Sequence, residues 1–175
     1  MTAGTECTVR IPRVFTSRLV LREPRLSDFE ASARAAADPA VAEFVGGVQD
    51  RREAFKRFHV AAGGWVLQGM GWWTIEEPTL GPIGTAGVFR RETGPDAEMG
   101  WIIHRAWWGR GYATEAAGAA LGFAVREWKL DRVIAYIAKG NVASIRIAEK
   151  IGMTCEGEAD FYGDVDWRYA FGSIH

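Results

Sequence analysis

The sequence predicts a mixed α/β fold: a predominantly antiparallel sheet with one central parallel pair, flanked by about four helices. Three patterns carry that expectation. Residues 97–138 read strand, helix, strand, and a crossover of that kind joins parallel strands. Apolar segments at 71–76, 83–90 and 97–104 are separated by Pro78, Gly81 and Pro82 and then by Thr93-Gly94-Pro95-Asp96, the residues of tight reversals between antiparallel strands. Capped, alanine-rich or amphipathic stretches near 29–37, 50–68, 112–129 and 142–150 supply the helices.

In chain order, residues 1 to about 13 are polar around Pro12 and read as a loose lead-in to a single domain over 14–175. Thr16 to Arg22 alternates with Leu19 and Leu21 on one face, a half-buried first strand that Pro24 ends. Ser27-Asp28 caps the helix from Phe29 to Ala37, and Asp38-Pro39 starts a short helical turn reaching Phe44. Asp50 caps a long helix whose end falls either at Gly63-Gly64 or near Gln68. After the strands at 71–104, Tyr112 to Lys129 is a helix with a thin face of alanines that can approach a sheet closely. Val133, Ala135 and Ile137 alternate within a strand at 133–138. Asn141 opens a helix over 142–150 that Gly152 ends, and Met153–Gly157 with Asp166–Ile174 forms a last strand pair around Gly163-Asp164.

Composition narrows the function classes. The chain has 175 residues, 48% hydrophobic and 25% charged, as in an ordinary globular protein with a full core. A formal charge of −1 argues against a nucleic-acid binder that neutralises phosphates over a basic face. The longest stretch free of Asp, Glu, Lys and Arg, Phe58 to Ile75, is broken by four glycines and does not read as a membrane span. Cys7 and Cys155, with His59, His104 and His175 dispersed, suggest neither a disulfide framework nor a metal site. The first residues carry no targeting signal, so the cytoplasm is the expected location.

The organising stretch is Glu98 to Phe123. An apolar strand runs into the aromatic and glycine turn Trp107–Gly111, and a helix follows, so unpaired backbone N–H groups converge at one point. That is a place to hold phosphate. Gly111-Tyr112-Ala113 lacks the Lys-Ser/Thr of a P-loop, and Thr114 stands where a dinucleotide fingerprint needs its third glycine. A Gly-x-Gly-x-Ala turn remains, Gly109-Arg110-Gly111-Tyr112-Ala113.

With this turn the chain resembles the GNAT family of N-acetyltransferases, in particular its RimJ/RimL-like branch. The matching residues are Ser17-Arg18-Leu19-Val20-Leu21-Arg22 with Asp28, Glu98-Met99-Gly100-Trp101, Trp108 to Ala116, Asn141 with Ser144, Glu149 to Met153, and Glu156-Gly157. Ala106 departs from the Gln or Arg of many relatives. The resemblance implies acetyl-CoA as cosubstrate, with no metal, in a splayed gap between strands 97–104 and 133–138. Gly109, Arg110, Gly111, Tyr112, Ala113 and Thr114 would hold the pyrophosphate. Backbone near Ile102 and Ile103, together with His104, Asn141 and Ser144, would line the rest of the cofactor site.

An amine attacking a thioester needs a base, an oxyanion donor and a proton for the departing sulfur. Glu98 is the leading base, acting through water, with a salt bridge as the structural alternative. Ser144 and Tyr162 are the rival acids, and Asn141 either caps its helix or binds the pantetheine. The acceptor, a protein N-terminus or a small-molecule amine, is expected near Phe44, Trp65, Trp72, Trp73, Asp160 and Tyr162, although core packing competes for the tryptophans. A non-catalytic acyl-CoA-binding or sensing module on the same fold is the alternative function. A homodimer paired through edge strands is among the expected assemblies.

Overall fold

The computed structural model describes residues 9–92 and 94–172. Cys7, His175 and most of the lead-in therefore lie outside the described residues, as does the expected end of the last strand at Ile174. Eight strands form one sheet: β1 (Val14–Phe15), β2 (Val20–Arg22), β3 (Gly71–Glu77), β4 (Gly81–Arg90), β5 (Ala97–Ile103), β6 (Val133–Ile137), β7 (Thr154–Phe161) and β8 (Asp164–Phe171). Their spatial order is β1-β2-β3-β4-β5-β6-β8-β7, antiparallel throughout except for β5 and β6. Five helices accompany the sheet: α1 (Phe29–Ala36), α2 (Pro39–Ala42), α3 (Arg51–Gln68), α4 (Tyr112–Glu127) and α5 (Val142–Lys150). The expected fold class holds, with one short helix more than the four anticipated. None of the described helices is long and apolar enough to cross a membrane.

The differences from expectation are local and have physical causes. The first strand is two short strands, because Thr16 turns the chain between them: its N–H donates to Leu19 O at 2.9 Å. Leu19 and Leu21 are nonetheless buried. Gly63 and Gly64 do not break α3, which runs to a left-handed cap at Gly69. Gly64 fits there because a Cβ would stand 2.8 Å from the carbonyl oxygen of Met70. The final hairpin is longer than expected, turning at Tyr162 and Gly163, both with positive φ as a two-residue hairpin turn demands. A 3₁₀ turn at Arg105–Trp107 joins β5 to the glycine turn.

Alternation along β5 separates two environments. Ala97, Met99 and Ile103 face α4, whose Ala116, Ala117, Ala120 and Ala124 are fully buried against the sheet. Glu98, Gly100 and Ile102 face the opposite side, where α1 and α3 cross the sheet. Behind β2, Arg22 makes a bidentate bond to Asp28 at 2.8 Å for each oxygen, and Asp28 also accepts from Thr74 Oγ1 at 2.9 Å. Burial alone would push the Asp28 carboxyl up; the Arg22 guanidinium, the Arg25 N–H and the Thr74 hydroxyl outweigh it and hold it below its ordinary value.

Candidate active site

The site begins where the parallel pair comes apart. β5 and β6 pair only at Ala97 with Val133 and at Glu98 with Ile134. On their outer edges each stays in register to its end, β5 with β4 through Ile103 and β6 with β8 through Ile137. The two strands therefore diverge as rigid edges and leave a wedge between them. His104 N–H donates to Ile83 O at 2.9 Å, so even-numbered residues of β5 turn their backbone groups toward β4. The odd-numbered Trp101 and Ile103 turn theirs into the wedge. Of the expected pair, Ile103 is thus the gap-facing residue and Ile102 is not; the Ile102 side chain instead lines the cavity on the other face. Trp108 Nε1 donates to Ile103 O at 2.6 Å and closes the end of the strand.

Beyond the wedge lies an uncapped helix start. Gly111 is the N-cap of α4, with φ 79° and no side chain bonded to the helix. None of the N–H groups from Gly109 to Thr114 has a hydrogen-bond partner among the described residues. Gly109, at φ +74°, has nothing within 4 Å of a built Cβ, so what favours glycine there is the backbone conformation rather than a lack of space. Six free donors on a helix N-terminus form a site for a polyanion.

The cradle is clasped from the N-terminal turn. Glu115 Oε1 accepts from Thr16 Oγ1 at 2.6 Å, Ser17 Oγ at 3.1 Å and Arg18 N at 3.0 Å. Its other oxygen accepts from Arg18 Nε at 2.7 Å. Arg18 Nη1 then donates to Arg110 O at 2.9 Å, and its guanidinium lies 4.7 Å over the Tyr112 ring. Burial would raise the Glu115 carboxyl, but these donors hold it below its ordinary value. Arg110 itself rests on Trp107, 5.0 Å from the ring centre. No sequence signal joined Arg18 to Glu115, which are 97 residues apart.

Glu98 sits at the closed end of the wedge, 7% exposed. Both of its oxygens are bonded to Arg91, through Nη2 at 2.8 Å and through Nε. The Glu98 bonds raise the Arg91 pKa against the opposing effect of burial. The Arg91 guanidinium also lies over Phe89, Phe161 and Tyr162, at 5.2, 4.9 and 5.4 Å from the ring centres. Sequence reasoning did not single out Arg91.

Asn141 caps α5, its Oδ1 accepting from Ser144 N at 3.1 Å. Ser144 thus lies in the first turn of the helix that follows β6. The Tyr162 hydroxyl donates to Glu92 Oε1 at 3.0 Å at the hairpin tip, and its ring is 62% exposed.

A cavity of about 690 Å³ opens on the α1–α3 side. It is lined by Trp72, Thr85, Phe89, Ile102 and His104 from the sheet and turn, and by Val41, Phe58 and neighbours from the helices. His104 is pushed down to about 4, first by burial and then by the charge of Arg34, so it is neutral at ordinary pH. The expected aromatic wall needs correction. Trp65 and Trp73 are buried in the core, Trp65 donating to Trp72 O at 2.9 Å and Trp73 stacking on Trp128 at 5.6 Å. Only Trp72 of the three lines the cavity. Phe44 packs instead on Gly140, and exposed Asp160 turns back to the Gly163 N–H at 3.4 Å within its own hairpin.

A sheet that opens one parallel pair beside an uncapped helix start is an architecture that this chain shares with solved acetyltransferases. The acetyltransferase (GNAT) domain model matches residues 18–154, more than half of the chain, and the chain belongs to that family. It is 34% identical over 119 residues to the Bacillus subtilis protein YkkB, covering 66% of this chain and 69% of that one. It superposes on an acetyltransferase from Agrobacterium tumefaciens with a TM-score of 0.86 and 30% identity, covering 98% of this chain and 100% of that one. RimL, a ribosomal L7/L12 α-N-protein acetyltransferase solved with coenzyme A, shares the fold at a TM-score of 0.74 and 18% identity, over 91% of this chain and 97% of that one. Family membership brings acetyl-CoA-dependent N-acetylation as the general chemistry.

Proposed function

We propose that the chain transfers the acetyl group of acetyl-CoA to a primary amine by direct attack. The observation that supports this most is the wedge between β5 and β6, which ends beside the free N–H groups of Gly109–Thr114. These residues fit the cofactor. A pantetheine arm carries amides that pair with strand edges, and a pyrophosphate matches an uncapped helix start. The N–H groups of Trp101 and Ile103 face the arm, and the Ile103 N–H, rather than that of Ile102, is placed to serve as the oxyanion donor. Asn141 closes the same end of the gap. Bound there, acetyl-CoA supplies an activated acetyl thioester.

Glu98 takes the amine's proton through water. Each carboxylate oxygen has a second lone pair free of Arg91, so the ion pair leaves a water route open. Ser144, at the helix start directly after β6, is better placed than Tyr162 to protonate the leaving sulfur, because the Tyr162 hydroxyl is already committed to Glu92. The order of motifs along the chain favours the RimJ/RimL-like branch, in which a protein N-terminus or a small amine is the acceptor.

Calorimetric titration with acetyl-CoA, followed by thiol release over a panel of amines and intact peptides, tests the reading. Binding with release is expected. The Arg91–Glu98 pair supports a second reading, a non-catalytic acyl-CoA-binding module, since it occupies the leading candidate base with a cation. Tight binding with no release from any amine would establish that second reading instead.

A further inference from the structure

The cavity under α1–α3 has a lining whose charge and shape select among amines. Its volume, about 690 Å³, suits a small molecule. Its floor is the Trp72 indole, laid flat across two neighbouring strands. A Cβ at Gly87 would come within 2.8 Å of that ring and one at Gly100 within 2.6 Å, so both positions must be glycine for the indole to lie there. Trp72 also stacks on Phe89 at 5.3 Å, and Ile102, beyond the last β5–β6 rung at Glu98, completes the apolar surface.

The charges around this floor are mostly positive. Lys56, Arg57, Arg90 and Arg91 line the cavity against Glu53 and Glu92, with Glu98 beside them. Every one of these carboxylates already has a donor: Glu53 has Lys56 at 3.0 Å, Glu92 has the Tyr162 hydroxyl at 3.0 Å, and Glu98 has Arg91. Among the described residues the Arg57 and Arg90 side chains donate to neutral oxygens, the carbonyls of Val45 and Pro95 and, for Arg57, the Gln49 amide, and neither pairs with a carboxylate. His104 is neutral and adds no acceptor charge. Among the described residues of the lining, then, no carboxylate is without a donor of its own.

We propose that this cavity admits a primary amine borne on an apolar, preferentially aromatic, body that carries no second positive charge. The proposal rests on the acetyl-transfer reading above and names its substrate class. The surplus of cations has a chemical use, since it favours the neutral form of the entering amine, which is the nucleophile. The amine lone pair forms the C–N bond as the C–S bond breaks. The sulfur leaves with the bonding pair, and the proton lost by nitrogen balances the one gained by the thiolate.

The test measures thiol release with 2-phenylethylamine, spermidine and kanamycin on the full chain, after acetyl-CoA binding has been established by calorimetry. We expect kcat/KM for 2-phenylethylamine at least tenfold above that of either polycation. Ala61→Trp, which fills the cavity, should raise KM for 2-phenylethylamine at least tenfold and leave acetyl-CoA affinity unchanged. Lys56→Glu, at an exposed rim position, should raise the relative kcat/KM of spermidine at least fivefold without disturbing the fold. Equal or better use of spermidine or kanamycin by the unaltered protein overturns the proposal while leaving acetyl transfer standing, and so does an unchanged preference in Lys56→Glu. Acetyl-CoA binding with no release from any amine removes both.

Discussion

Replacing Gly111 by valine separates the cradle from ordinary backbone tolerance. The position has φ 79°, where an L-residue costs about 1–2 kcal/mol. Space is not the obstacle, because the nearest atom to a new Cβ is Arg18 Nη2 at 3.5 Å, an ordinary contact. The fold should survive with a Tm lower by about 2–8 °C for a chain of this size. Binding should suffer more. The valine methyl groups stand where a pyrophosphate would approach the Tyr112 and Ala113 N–H groups, and losing one charge-assisted bond costs about 1.5–3 kcal/mol. CoA affinity, measured by calorimetry, should therefore fall about 10- to 150-fold. Gly81→Val is the control: φ there is +80° with nothing within 4 Å, in the β3–β4 turn away from the wedge. It should match the Tm loss and leave CoA affinity alone. Wild-type CoA affinity in Gly111→Val, or an equal loss in Gly81→Val, would refute the placement of the pyrophosphate.

Glu98→Gln should lower kcat for thiol release by about 10²- to 10⁴-fold while acetyl-CoA affinity holds, and an unchanged kcat would remove Glu98 as the base. Glu115→Ala strips the clasp of its acceptor for Thr16, Ser17 and Arg18; urea titration should show a loss of about 1.5–3 kcal/mol, with KM for acetyl-CoA raised about tenfold and kcat less affected. Asp28→Asn breaks a pair whose side chains are each 4% exposed, and should cost about 3–5 kcal/mol by the same titration. The Asp28 carboxyl is held below its ordinary value, so its stabilisation is fully present above an unfolded pKa of about 3.9 and is lost as pH falls through the lower folded value. Melting curves of Asp28→Asn should accordingly show a shallower acid limb below about pH 4 than the unaltered chain.

The fold was largely legible because its signals are local. Asp50 and Asn141 begin helices through bonds within a few residues, and Gly69 and Gly163 set a helix end and the hairpin turn by their own φ. The turn at Thr16 was not legible, since what draws the chain out of strand geometry is Glu115, 99 residues away. Trp65 and Trp73 show the same limit from the other side. Alternation gives the face of a strand that a side chain takes, but which face is core depends on the helix that covers it. Trp72 and Trp73, adjacent in sequence, therefore end in a cavity and in the core respectively.

The backbone half of the candidate site could be read from the sequence because Gly109 and Gly111 take positive φ, and a glycine pattern is visible in a string of letters. The side-chain half could not, because its properties belong to pairs. Glu98 read alone suggests a base; the structure shows it bonded on both oxygens to Arg91, which lines a cavity whose cations outnumber its anions. That changes what the carboxylate must do. If the proposed reading holds, an amine entering this pocket is biased toward its neutral form, and the demand on Glu98 shifts from extracting a proton from an ammonium ion toward guiding that proton to water as the C–N bond forms. Arg91 would then serve twice, keeping Glu98 in place at the closed end of the wedge and adding to the charge that favours the neutral amine.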